Sequence, residues 1–248
     1  MTAPGMVAAI HREYIEAGAD ALRTNTFRTR EGDIGETYPE LARLAVSLAR
    51  EASQGRPVFG SLGPVGDCYD LRLGDLAKLQ KGHEDLANIL YDARIDEFVC
   101  ETFPTAREAE VAVIACAKFA VPVTVSLTAG PSGDLMTPRE LARGAELCAK
   151  RGASVVMVNC VGSSVVAPFV HELAQVGIPF GFYANAAVWN GPKKAPDAYV
   201  DDVRSLLALA PSRIGICCGG GPMHVRALRA LLDLSAALPP PSSSRGGE

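Results

Sequence analysis

Seven cysteines are spread along this 248-residue chain, and three of them fall where chemistry is easiest to build. Cys217 and Cys218 are adjacent. They close the short apolar run Arg213-Ile214-Gly215-Ile216 and precede the turn Gly219-Gly220-Gly221 and a helix-like segment from Pro222. Cys160 closes a second run of the same design, Ser154-Val155-Val156-Met157-Val158-Asn159, ahead of Val161-Gly162-Ser163-Ser164 and another helical stretch. Both patterns read as strand, turn and helix start, which puts the thiols at carboxyl ends of strands, where α/β folds keep their chemistry. Three thiolates with a vacant fourth position make a zinc site open to a substrate. Neighbouring cysteines can equally be packing residues, since free Cys is commonly buried. The elements around them must decide whether the sulfurs meet.

Those elements alternate. Apolar periodicity predicts strands near 20–27, 57–62, 97–103, 122–127, 154–160, 179–185 and 213–216. Helices are predicted near 4–17, 40–53, 82–93, 106–119, 138–150, 164–175, 197–209 and 222–235. Seven strands with eight helices, in successive βα units, give an α/β fold, and the strands read as apolar on both faces, like buried parallel strands. Two architectures compete, an open doubly wound sheet and a (βα)8 TIM-type barrel with its first strand missing. The barrel is preferred, because polar residues or glycines mark nearly every strand end and only closure gathers them at one mouth. In such a barrel the strands ending at Cys160 and Cys217 are separated by one strand. One domain is expected over 1–236, with a Pro/Ser-rich disordered tail over 237–248.

The totals narrow the class. Net charge is −4 and no basic cluster stands out, which argues against nucleic acid or an anionic membrane as partner. No leader and no run of membrane-spanning length is read, so a cytoplasmic protein is expected. An odd cysteine count in a chain of this size argues against a disulfide framework and for metal binding or catalysis by some of the thiols. Cys116 and Cys148 lie in helical segments and read as core, while Cys68 and Cys100 read as core or surface. His11 and His224, near predicted helix starts, read as structural hydrogen-bonding residues, and His83 and His171 as helix-surface residues. Asn25 and Asn159 stand at strand ends, where satisfying backbone groups and serving a site are equally open.

A set of motifs, in order, carries a resemblance. These are His11-x-x-Tyr14-x-x-Ala17-Gly18-Ala19-Asp20, Thr24-Asn25-Thr26-Phe27, Gly60-Ser61-Leu62-Gly63-Pro64 and Glu101-Thr102-Phe103 with Glu108-Ala109. Val158-Asn159-Cys160 and Cys217-Cys218-Gly219 with Pro222-x-His224 follow. From Pro4 to about Leu231 the chain resembles the homocysteine S-methyltransferase domain, the zinc-dependent thiol methylase module of betaine–homocysteine methyltransferase and cobalamin-dependent methionine synthase. The resemblance implies Cys160, Cys217 and Cys218 as zinc ligands and Glu101 as a residue holding the amino-acid substrate; Asn25, at its strand end, is the further candidate for substrate binding. It implies methyl transfer from a cationic donor (S-methylmethionine, S-adenosylmethionine or betaine) to homocysteine, giving methionine. The family's first strand and Asp-Gly-rich loop have no counterpart here, which keeps a second reading open: an impaired relative that binds zinc or a partner without turnover. Unpaired strand edges would then favour poor solubility or pairing with another chain as a homo-oligomer.

Overall fold

In a computed structural model, residues 3–187 and 191–237 are described. The elements run α1 (Pro4–Glu16), β1 (Leu22–Arg23), α2 (Glu31–Ile34), α3 (Tyr38–Ala52), β2 (Val58–Leu62), α4 (Leu76–Asp92), β3 (Glu97–Phe103) and α5 (Ala106–Cys116). They continue with β4 (Val123–Leu127), α6 (Pro138–Lys150), β5 (Val155–Gly162), α7 (Ala167–Leu173), β6 (Phe180–Asn185), α8 (Pro196–Val203), a 3-10 turn (Arg204–Leu209), β7 (Arg213–Ile216) and α9 (Pro222–Ala237). The seven strands form one parallel sheet in chain order, with β1 and β7 at its edges.

The sheet is curled, and side chains reach across the curl. Arg213 of β7 pairs with Glu97 of β3, and the Arg23 guanidinium of β1 lies 4.5 Å over the Tyr183 ring of β6. The pleat sorts the rest. Phe98, Val125, Val156, Val158, Phe182 and Leu62 face the helices and build the main apolar core. Val155, Met157 and Tyr183 face the interior.

Several expectations change. The strands are not apolar on both faces. The interior face carries buried Ser61, Glu97, Glu101, Thr124, Ser126 and Asn159. Curling makes this affordable, because each polar group finds a partner on another strand, as when Thr124 Oγ1 donates to Glu97 Oε1 at 2.5 Å. The strand expected over 20–27 keeps ladder pairing over two residues. Beyond them Thr24 and Thr26 bond Ser61 through side chains: Thr24 Oγ1 accepts from Ser61 N (3.0 Å) and Thr26 Oγ1 donates to Ser61 O (2.7 Å). The helix expected from residue 82 starts at Leu76, capped by Asp75, whose side chain accepts from Lys78 N at 3.0 Å. Nine α-helices replace the expected eight among the described residues, the short α2 being the addition.

His83 is not a surface residue. It is fully buried, with Nε2 at 3.2 Å from Glu108 Oε1 and Nδ1 at 3.4 Å from Arg30, itself buried against the carbonyls of Gly63 and Pro64. His11 sits in the second half of α1, with its Nε2 buried and unpartnered. Ala237 belongs to α9, and the rest of the expected tail lies outside the described residues.

Candidate functional site

The three cysteines meet. Sγ of Cys160 is 2.9 Å from that of Cys217 and 3.9 Å from that of Cys218, and the last two are 4.0 Å apart. All seven cysteines are free thiols. Four sulfurs placed tetrahedrally about 2.3 Å from zinc lie about 3.8 Å from one another. Two of the three separations match that spacing, and the third pair would part by about 1 Å. The donor set, all thiol and converging from the bulge of β5 and the turn after β7, fits zinc.

Backbone irregularity brings Cys160 in. Along β5 the pleat sends Val156 and Val158 to the helices, so strict alternation would send Cys160 there too. Instead the pairing with β6 shifts between Asn159 and Gly162, and Cys160 adopts a left-handed φ of 55°. A bulge of this kind re-aims a side chain. The left-handed conformation costs a non-glycine residue about 1–3 kcal/mol, which the surroundings must offset. β3 does the same: its register shifts between Cys100 and Phe103, and Thr102 has a φ of 64°.

Asn159 ties the two bulges together. Its Nδ2 donates to Thr102 Oγ1 (2.6 Å), and its Oδ1 accepts from Thr102 N (3.1 Å) and from Ser126 Oγ (2.8 Å). Of the two roles left open for Asn159, the structural one is visible here.

Cys217 and Cys218 follow β7 directly. Cys217 N donates to Ala184 O at 2.8 Å, and Cys218 N to Asn185 Oδ1 at 3.1 Å. The turn after them demands glycine. Gly219 has a φ of 81°, and a Cβ there would stand 2.4 Å from Ala187 Cβ; at Gly220 it would stand 1.8 Å from Ile216 Cγ2.

The cluster's charge is unequally shared. Thiol hydrogen bonds from Cys160 and Cys217 pull the exposed Cys218 down to about 3, and the same bonds together with burial push Cys160 up.

Glu101 lies on the interior face of β3, buried. Its Oε1 accepts from Ser61 Oγ at 2.5 Å, and its Oε2 accepts from Tyr183 OH at 2.9 Å and from Arg23 Nη1. Burial opposes the charge on Arg23, but Glu101, Tyr183, Cys217 and Cys160 together more than offset it and hold the guanidinium above its ordinary range. Burial, followed by the Glu101 carboxylate, raises Tyr183. Asn25 is exposed on the rim. A cavity of about 910 Å³ joins these groups, bordered by Arg23, Asn25, Glu101, Tyr183 and the three thiols.

His224 is held by backbone, its Nδ1 accepting from Gly221 N (3.3 Å) and its Nε2 donating to Lys194 O (2.9 Å). Sequence reasoning missed Arg23, Ser61 and Tyr183. The one available signal was a charged residue in a short strand that should be apolar.

A family model described as homocysteine S-methyltransferase matches residues 1–232. The S-methylmethionine–homocysteine S-methyltransferase of Mus musculus is 27% identical, over 98% of this chain and 74% of that protein. The methionine synthase of Mycobacterium tuberculosis is 26% identical, over 92% of this chain and 22% of that protein. Among solved structures, the homocysteine methyltransferase MmuM of Escherichia coli in its metallated form superposes with a TM-score of 0.78. It is 21% identical, over 92% of this chain and 84% of that one, and so speaks for the fold.

Proposed function

This chain belongs to the homocysteine S-methyltransferase family, and from that premise we propose that it methylates the thiol of homocysteine from a cationic donor, giving methionine. It is a methyltransferase by family, and the finer reading adds the donor class, the metal and the residues. The single observation that carries it is the convergence of three thiols from β5 and the turn after β7 beside a buried carboxylate in one cavity. We read the curled seven-stranded sheet as of TIM-barrel type, one domain over 1–236, in a cytoplasmic protein. Among the described residues no helix is long and apolar enough to cross a membrane.

Cys160, Cys217 and Cys218 would hold zinc, which when bound supplies the positive charge that lowers the pKa of a thiol taking its fourth position. Everything else is done by the chain. The bulges at Thr102 and Cys160, locked by Asn159, keep the sulfurs converged before any substrate arrives. Three thiolates around a dication leave net negative charge at the mouth, which favours a sulfonium or quaternary ammonium donor over a neutral one. Glu101, held by Ser61 and Tyr183, offers the substrate's ammonium a fixed carboxylate. The homocysteine sulfur, its proton lost to solvent, attacks the donor's methyl carbon. A carbon–sulfur bond forms as the donor's own bond to that carbon breaks, and the electron pair stays on the departing sulfur or nitrogen. Walls that hold both ligands in line supply the orientation such a displacement requires.

The test measures zinc content of the reduced protein and methionine formation with S-methylmethionine, S-adenosylmethionine and betaine in turn. We expect about one zinc per chain, turnover with at least one donor, and loss of both in Cys217→Ser. Zinc without turnover on any donor would favour the impaired-relative reading, and no zinc would argue against both metal-based readings.

A further inference from the structure

Two arginines project from the edge strands into the interior, and they are used differently. Arg213 commits its terminal nitrogens: Nη2 donates to Glu97 Oε2 at 2.9 Å, and Nη1 to Glu97 Oε1 and to Thr124 Oγ1. Its work is to tie β7 to β3 and β4. Arg23 bonds Glu101 through Nη1 alone. Its Nε and Nη2 hold no hydrogen bond among the described residues, yet neither is sealed away from the cavity. Its side chain is 37% exposed, against 8% for Glu101, and it borders the same cavity as the three thiols. The Tyr183 ring, 4.5 Å beneath the guanidinium, supports it from one face.

This arrangement suits a zwitterion better than an amine. Glu101 already has its charge matched, so a bare ammonium would have to displace a charge-assisted bond and leave the guanidinium unpaired. An α-amino acid brings a partner for each group. Its ammonium shares Glu101, and its carboxylate meets the open edge of a planar fork shaped for carboxylates. No charge is left alone by the exchange.

We propose that Arg23 is a specificity-determining residue that receives the α-carboxylate of the amino-acid thiol whose sulfur goes to the cysteine cluster. This rests on the homocysteine reading above. The chemistry recognised is an amino-acid carboxylate, which the methyl donors also carry. Arg23 borders the same cavity as Cys160 and Cys217, so a short substrate whose sulfur must reach those cysteines is the nearer source.

The test is calorimetric binding of L-homocysteine and of 3-aminopropane-1-thiol, the same molecule without its carboxylate, to the zinc-loaded full chain, alongside methionine formation. Wild type should prefer homocysteine by roughly 10- to 100-fold. Arg23→Gln should erase most of that preference by weakening homocysteine alone, and Arg23→Lys should keep part of it, a point charge replacing the fork. If Arg23→Gln fails to fold because Glu101 is left unmatched, Arg23→Lys decides, with the preference reduced severalfold. An unchanged preference in a folded variant overturns the assignment and leaves the methyltransferase reading standing. So does an effect confined to the KM of the donor, which would move the carboxylate to that ligand. A wild-type protein that neither binds nor methylates homocysteine removes the functional reading itself, and this assignment with it.

Discussion

Replacing Gly219 by alanine should damage the loop that carries Cys217 and Cys218 while a neighbouring replacement leaves it intact. Gly219 has a φ of 81°, and its added Cβ would lie 2.4 Å from Ala187 Cβ and 2.9 Å from Ala187 N. Neither obstacle can rotate away: one is backbone, the other a single methyl. The left-handed conformation costs alanine about 1–2 kcal/mol, and forced overpacking adds about 1–3 kcal/mol. The sum, about 2–5 kcal/mol, lowers Tm by about 4–20 °C in a domain of this size. Relief of the clash must move the loop that carries Cys217 and Cys218, so zinc affinity should fall at least about tenfold, with the change in geometry as the cause. Gly221 is the control. Its Cβ would meet nothing within 4 Å and its φ is not left-handed, so Gly221→Ala should stay within about 0.5 kcal/mol of wild type. Thermal melts and chelator competition on both variants give the answer. If Gly219→Ala matches Gly221→Ala in Tm and in zinc affinity, the steric reasoning is refuted.

Other outcomes follow from the same structure. Asn159→Ala removes the link between the bulges of β3 and β5 and leaves Thr102 N unpaired, so we expect a loss of about 2–4 kcal/mol in urea unfolding with weaker zinc binding; unchanged values of both would contradict the bridging role. Arg213→Met strands the buried Glu97 carboxylate and should cost about 3–5 kcal/mol, with Glu97→Met in the same chain recovering part; a double variant no better than the single would count against the pair. Burial lowers the pKa of His83, partly opposed by Glu108, and of His11, from 6.5. Below pH 6.5 the unfolded chain therefore binds protons that the folded chain refuses, so stability is present above that pH and is lost as pH falls beneath it. Urea midpoints at pH 7.5 and 5.5 should show this drop, and His83→Gln should make it shallower.

The strand-end placement of Cys160, Cys217 and Cys218 was legible in the sequence because strand-turn-helix patterns are local. An apolar run followed by Gly219-Gly220-Gly221 or Val161-Gly162 announces a strand end, and a thiol there is placed before any tertiary contact forms. The seven-strand count was legible for the same reason, as were the buried Cys116 and Cys148 on helix faces. His83 was misread because its neighbours in sequence are polar, whereas what buries it is the loop after β2 and Glu108 of α5, remote along the chain.

What the tertiary structure alone decided is the direction in which interior side chains point and which of them share charge. Period-two alternation would have turned Cys160 toward the helices, and a bulge stabilised by Asn159 from within the curl turned it back. Nothing near Arg23 in the chain foretells Glu101, 78 residues away, and nothing near Arg213 foretells Glu97, 116 away. Local pattern determines whether a residue lies on a strand. Only the closing of the sheet sets two distant strands face to face, and burial there makes an unmatched charge too costly to leave alone.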